Sequence, residues 1–153
     1  MKKLLLAIVL LVTTITFAQE TEKNNTSFYL ATGVSITNSN DFSDSSYVSA
    51  EIGVMIDNVT FGAVFGRNNL TEMFGSNESF NNYWYEGKVA VYRSLGVVDG
   101  YGLLGIGSYI GNDSIFLEYG LGISREFKDL GVFIQVSNWD GVTYITPGIY
   151  ISL

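Results

Sequence analysis

Few residue types in this chain could perform chemistry. It contains no cysteine and no histidine, so it lacks Cys–His and Ser–His–Asp catalytic groups and the usual ligands of transition metals. The glycine-rich segment YGLLGIGSYIG at residues 101–111 has the spacing G-x-x-G-x-G with no following Lys-Ser or Lys-Thr, which differs from phosphate-binding loops. Two carboxylates, Glu86 and Glu118, would suit glycan hydrolysis, but nothing in the sequence places a substrate cleft beside them. We therefore predict that the protein is not an enzyme and that it uses no cofactor and no metal.

The N-terminus has the features of a secretory signal peptide. Two lysines are followed by an apolar run over residues 4–12, and Ala18 precedes the polar Gln19. This run is shorter than the roughly 20 residues that a membrane-spanning helix needs, and its threonine-rich end disfavours the alternative of an uncleaved anchor. We predict that residues 1–18 are removed after export through the Sec pathway, leaving a short periplasmic lead (19–26) and a single domain (27–153).

The rest of the chain is predicted to form eight β-strands. These segments are rich in Val, Ile, Tyr and Phe, and none shows a sustained period of 3.6 residues. They cover residues 27–37, 47–56, 59–67, 83–95, 101–110, 114–126, 130–138 and 142–153. Tight connectors (57–58, 96–100, 127–129) fall at one end, and the longer segments 38–46 and 68–82 fall at the other. This pattern of turns and strand lengths is typical of outer-membrane barrels.

Alternation along the strands sorts their residues onto two faces. One face is almost continuously apolar and includes Ile52, Val89 and Leu121. The other carries ten of the twelve glycines in the predicted strands, Gly87 and Gly102 being the exceptions. It also carries all four charges of the strand interiors, which are Glu51, Glu86, Lys88 and Glu118.

Two architectures could produce such faces. In a soluble barrel or sandwich the apolar face forms the core, but a solvent-facing strand gains nothing from glycine, which costs about 0.5–1 kcal/mol relative to alanine. In an eight-stranded membrane barrel the lumen is only wide enough for side chains to fill, so Gly105 and Gly107 would make room for rings and carboxylates from other strands. A sheet in hydrocarbon must also close on itself. We favour an eight-stranded antiparallel up-and-down transmembrane β-barrel; a soluble exported barrel that binds a small apolar ligand is the alternative.

In this pattern, and in its ending ITPGIYISL at residues 145–153, the chain resembles the small eight-stranded outer-membrane barrels of Gram-negative bacteria. These are the barrels of the OmpX, Ail and OmpA-transmembrane-domain type, within the wider group of outer membrane β-barrel or porin family proteins. The resemblance covers the signal peptide and essentially all of the mature chain. It implies an outer-membrane location, tight turns in the periplasm, contact with outer-membrane lipid, insertion by the barrel-assembly machinery and a monomeric state. Such barrels usually end in an aromatic residue, whereas this chain ends in Leu153.

The charged residues of the inner face define the candidate site. We expect a lumenal polar network of Glu51, Glu86, Lys88, Glu118 and Gln135, because charges in a low-dielectric interior need partners. Such a network would plug the barrel and hold it rigid. Alternatively, three carboxylates against one lysine would favour cations in a narrow porin-like channel.

The strand ends and loops carry the remaining candidates. Arg67, Arg93 and Arg125 share the apolar parity at strand ends, where they would contact lipid head groups, and Phe28, Tyr83 and Tyr85 would join an aromatic girdle. The full chain has a net charge of −7; loss of Lys2 and Lys3 takes the mature chain to −9, which disfavours nucleic acid as a partner. Acidic residues predicted in the outer loops are Asp41, Asp44, Glu72, Glu78, Asp113 and Asp140. They would form a solvated rim, bridge divalent cations to lipid A, or bind an extracellular partner, so we expect a role in envelope integrity or surface interaction.

Overall fold

The chain forms eight β-strands in a computed structural model that describes residues 26–37, 46–68, 83–111, 114–139 and 141–153. The strands are β1 (Thr26–Thr37), β2 (Tyr47–Ile56), β3 (Val59–Asn68), β4 (Tyr83–Ser94), β5 (Asp99–Tyr109), β6 (Ile115–Phe127), β7 (Leu130–Trp139) and β8 (Val142–Ser152). The predicted signal peptide and the periplasmic lead up to residue 25 lie outside the described residues. In the described ranges, no helix is long and apolar enough to cross a membrane.

Each strand pairs antiparallel with the next, and β1 pairs with β8 to close the barrel. The predicted fold class, an eight-stranded antiparallel up-and-down β-barrel, is therefore confirmed. All eight predicted strands are present, and their ends agree with the prediction to within two residues. The largest difference is β5, which begins at Asp99 because Asp99 and Gly100 continue the ladder with β4.

The turns between strands form two sets, at opposite ends of the barrel. At the end we call the turn end, β2–β3 and β6–β7 are each joined by two residues, since Ile56 faces Val59 and Phe127 faces Leu130 across the ladders. Tight hairpins of this kind require positive φ, and Asp57 and Lys128 adopt φ of 53° and 62°. The opposite end, the loop end, carries the long connections after β1 and β3.

The seam between β1 and β8 closes the barrel. Among the ladders of the described strands, the β1–β8 ladder is the only one that is interrupted. Val34 and Ser35 have no ladder partners opposite Thr146 and Pro147, because proline has no backbone N–H to donate. On the lumenal side of this gap, Ser35 Oγ and Thr146 Oγ1 are hydrogen-bonded at 2.6 Å. The seam ends with Leu153 N donating to Phe28 O at 2.8 Å, so the last residue of the chain is part of the closure.

The two faces of the wall have the orientation that alternation predicts. Ile52 and Leu121 point outward and are 56% and 71% exposed, whereas Val64 and Phe116 point inward and are buried. Glu51 also points inward, and its side chain is only 10% exposed. The apolar surface therefore lies on the outside of the barrel. Val59 departs from this rule, because it has outward parity but is buried.

Inward glycines give space to large side chains from neighbouring strands, as predicted for Gly105 and Gly107. A Cβ at Gly105 would overlap the carboxyl group of Glu86, and a Cβ at Gly107 would overlap the Phe116 ring. The outward Gly87 has nothing within 4 Å of its Cβ position. The small residues are thus a property of the crowded lumen and not of the strands in general.

Candidate functional site: the lumen of the barrel

The lumen is filled by three layers of side chains. The turn-end layer contains Ala90, Tyr92, Tyr101, Leu103 and Phe133. A charged layer lies at mid-height, and a loop-end layer of aromatic rings lies above it. The arrangement follows from the ladders, which place the inward residues of neighbouring strands at matching heights.

The centre of the charged layer is an ion pair between two strands that are not adjacent. Lys88 of β4 pairs with Glu51 of β2 through Nζ and Oε2. Tyr29 of β1 donates its hydroxyl hydrogen to Glu51 Oε1 at 2.5 Å. Both oxygens of Glu51 are thus satisfied, and the side chains link β1, β2 and β4 across the lumen.

The other two carboxyl groups of the charged layer face each other. Glu86 of β4 leans over Gly105 of β5 and comes within hydrogen-bonding reach of Glu118 of β6. Gln135 of β7 donates from Nε2 to Glu118 Oε1 at 2.9 Å. Glu86 and Glu118 are 4% and 5% exposed, and among the described residues Glu86 Oε1 has no hydrogen-bond partner. The structure therefore brings all five predicted lumenal residues into one layer.

Two small cavities lie on either side of the ion pair. Their volumes are about 30 Å³ towards the turn end and about 20 Å³ towards the loop end, and Glu51, Lys88, Phe133 and Gln135 line both of them. A water molecule needs roughly 10–15 Å³ on this measure, so each cavity has room for one or two waters. A sugar ring does not fit between Glu86 and Glu118, so the arrangement does not suit glycan hydrolysis.

The loop-end layer is an aromatic cluster that sequence reasoning did not identify. It comprises Tyr47, Trp84, Phe116 and Trp139, with Tyr109 and Tyr144 packed against them. The Trp139 ring lies 4.2–5.9 Å, centroid to centroid, from the other five rings. Trp139 was predicted to follow its strand, but it continues the inward alternation of Gln135 and Ser137, and that parity could have identified it.

The three arginines at strand ends lie at both rims of the wall. Arg67 is at the loop end with its guanidinium 5.3 Å from the centroid of the Tyr83 ring. Arg93 and Arg125 are exposed at the turn end, and Arg125 lies 5.0 Å from the Phe127 ring centroid. Outward aromatic side chains flank the apolar wall, including Phe28 and Tyr85 at 63% and 49% exposure. The six acidic residues predicted for the outer loops all lie outside the described residues.

Comparisons with known proteins identify a fold and no family. No protein-family model matches the chain, and no curated protein matches it in sequence. Among solved structures, the chain is similar to the crystal structure of Neisserial surface protein A (NspA), with a TM-score of 0.53 and 13% sequence identity. The match covers 85% of this chain and 99% of that one. At this level of identity the likeness supports the barrel fold and leaves the function to be argued from the residues.

Proposed function

We propose that this protein is a non-enzymatic integral outer-membrane barrel whose lumen is plugged and whose loop end contributes to envelope integrity or surface interaction. The observation that carries the proposal is the apolar outer wall of a closed barrel that holds its charges inside. Large exposed apolar surfaces mark contact with a partner or a membrane, and a closed barrel is the only sheet that leaves no unpaired edge in hydrocarbon. Similarity of the barrel to a surface protein agrees with this role.

A single charged substitution on the wall tests the membrane setting. Leu121 is the middle residue of β6 (Ile115–Phe127) and is fully outward. In a bilayer, Leu121→Arg would cost about 2–4 kcal/mol of folding free energy at the midplane, whereas on a water-exposed surface it would change stability by no more than about 0.5 kcal/mol. Leu121→Met is the apolar control. Urea unfolding in vesicles, with fractionation of cells, gives the readout: a stable Leu121→Arg variant in the osmotic-shock supernatant would contradict the proposal.

The proposal includes the steps that bring the chain to the membrane. These are Sec-dependent export, cleavage after Ala18, insertion by the barrel-assembly machinery, and function as a monomer related to the OmpX, Ail and OmpA-type barrels. They are supported by the signal-peptide pattern and by the closure of Leu153 on β1.

A role for the acidic loops is tested by removing them while keeping the barrel. Replacement of residues 69–82 by a short Asn-Gly turn should leave heat-modifiable gel mobility intact, because this segment joins two strands that pair directly. The expected loss is in detergent resistance of the cells or in binding of a surface partner. The matched control keeps the loop length and replaces only Glu72 and Glu78 by Gln; equal loss in both variants assigns the effect to charge.

A narrow cation channel is a second candidate, favoured by the two cavities on either side of the Glu51–Lys88 pair. Opening of that pair would join the cavities, and the excess carboxyl groups of Glu86 and Glu118 would favour cations over anions. We expect a channel to require movement of Trp139 as well, since its ring closes the loop end. Planar-bilayer recordings without unitary currents, from both the wild type and a Glu51→Gln/Lys88→Met variant that removes the ion pair, would eliminate this function.

The structure does not favour the third candidate, a soluble barrel that binds an apolar ligand. The two cavities beside the Glu51–Lys88 pair have room for water molecules only, which is too little space for an apolar ligand.

A further inference from the structure

The turn end of the wall sorts its charges by sign between the two faces. Arg93 of β4 and Arg125 of β6 continue the outward parity of Val91 and Ile123, and both are exposed. Asp99 and Glu126 have the opposite parity, and both lie near the Tyr150 hydroxyl at the lumenal mouth. The outer surface of the β4–β6 part of this rim is therefore cationic even though the chain as a whole is acidic.

Apolar side chains surround the two arginines. The turn between β4 and β5 is closed by a hydrogen bond from Leu95 N to Val98 O at 2.9 Å, and it exposes Leu95 and Val97 to 61% and 71%. Phe127, at the end of β6, is 53% exposed beneath the Arg125 guanidinium. Solvent-exposed turns are not usually this apolar, and here the apolar side chains extend the apolar wall beyond the ends of the strands.

The spacing of the two arginines suits one lipid head group. Arg93 pairs with Gly100, and Gly100 pairs with Ile123, which is two residues from Arg125 on the same face. Two strand spacings of about 4.8 Å separate β4 from β6, and the two-residue offset adds about 7 Å along the strand, so the Cα atoms of the two arginines lie roughly 12 Å apart across the wall. Gly100 lies on the intervening strand, and the Leu95 side chain covers it, with Leu95 Cδ1 2.9 Å from where a Cβ of Gly100 would lie. The two guanidinium groups therefore flank an apolar side chain, over which a head group held by both of them would lie.

We propose that the turn end of β4–β6 is a binding site for an anionic phospholipid, whose phosphate lies between Arg93 and Arg125 and whose acyl chains lie against the apolar wall. Guanidinium groups are suited to planar, bidentate contacts with phosphate, and the exposed apolar turn places Leu95 and Val97 at the depth of the head groups. Lys128 at the neighbouring turn adds little, because Asp129 follows it and both are exposed. The inference rests on the proposed membrane location and adds a lipid class and a side of the barrel to it.

The test measures the lipid preference of the folded barrel. The full chain is isolated from its membrane in detergent and titrated with phosphatidylglycerol or phosphatidylcholine under native mass spectrometry. A cation at an anionic lipid surface contributes about a fivefold preference, so two should give roughly twenty-fivefold tighter binding of the first phosphatidylglycerol. Arg93→Gln/Arg125→Gln should reduce this ratio to near one, and Arg93→Lys/Arg125→Lys should retain only part of it, because an ammonium group keeps the charge but not the bidentate contact. Inorganic phosphate in large excess should not displace the lipid.

The matched control is Arg67→Gln, the same substitution in the same wall at the opposite rim. It should retain the wild-type preference, because Arg67 lies at the loop end, stacked on Tyr83 and outside the proposed site. Equal binding of the two lipids by the wild type, or an unchanged ratio in Arg93→Gln/Arg125→Gln, would overturn the proposal. Flotation with vesicles separates this result from failure of the membrane role: a barrel that enters vesicles without lipid preference contradicts only the lipid site, and one that does not enter contradicts both.

Discussion

The two halves of the lumen are filled in different ways. On the loop-end side of the Glu51–Lys88 pair, five aromatic side chains pack around Trp139 and the adjoining cavity is about 20 Å³. On the turn-end side, Tyr92 stacks on Tyr101 with centroids 4.8 Å apart beside a cavity of about 30 Å³. The loop half therefore has the larger aromatic cluster and the smaller cavity, whereas the turn half leaves more space beside its rings. This difference indicates that the barrel is closed at its loop end.

The largest expected effect comes from removal of the central ring of the loop half. Trp139→Ala should lower the free energy of unfolding by about 3–5 kcal/mol, the usual range for a buried large aromatic side chain. Urea unfolding in micelles, followed by Trp84 fluorescence, measures the change. Tyr92→Ala is the matched substitution in the turn half and should cost clearly less, since Tyr92 is only partly buried and one aromatic pair contributes about 0.5–1.5 kcal/mol. Equal losses would show that the two halves are packed alike.

The boundary between the halves should be the next most sensitive place. Lys88→Met leaves Glu51 without its cation, and breaking a buried ion pair in this way costs about 3–5 kcal/mol. We expect the lower part of that range, because the Lys88 side chain is 14% exposed to the adjoining cavities. The double variant Glu51→Gln/Lys88→Met should recover most of the loss in the same unfolding assay. A double variant as unstable as Lys88→Met would show that packing, and not charge, sets the cost.

The fold and the lumenal residues could be predicted because they depend on a period of two. Alternation placed Glu51, Glu86, Lys88 and Glu118 on one face whatever the exact strand ends, and the glycines of that face required large neighbours. A closed barrel is the common solution for a wall that is apolar on the outside.

The contacts across the lumen could not be predicted, because they depend on how the strands tilt when the barrel closes. Nothing in the pattern selects Glu51 over Glu86 or Glu118 as the partner of Lys88, since all three share its face. The aromatic cluster was missed for the same reason: Tyr47 and Trp139 come from strands that are distant in sequence, and their rings meet only because both project to the axis at one height.

Substitution of an inward glycine by alanine should have a smaller effect on the free energy of unfolding, and this effect should again differ between the two halves. A Cβ at Gly107, in the loop half, would meet both the Phe116 ring and the backbone oxygen of Tyr85. At Gly122, in the turn half, the nearest atoms all belong to the Tyr101 side chain, which can shift towards the larger cavity. Overpacking costs about 1–3 kcal/mol, so we expect Gly107→Ala near the top and Gly122→Ala near the bottom of this range. The reverse order in unfolding measurements would contradict the inferred rigidity of the loop half.

The smallest effect is expected at Gly87, which has outward parity in β4 and no atom within 4 Å of its Cβ position. Gly87→Ala adds no clash and removes conformational freedom from the unfolded chain, so it should stabilise the barrel by about 0.4–1 kcal/mol. The same unfolding assay in micelles measures it, with Gly107→Ala as the opposite-face comparison. Because the two substitutions are chemically identical, a loss of stability at Gly87 would mean that the outer wall is as crowded as the lumen, and the distinction between a filled interior and an open apolar exterior would no longer hold.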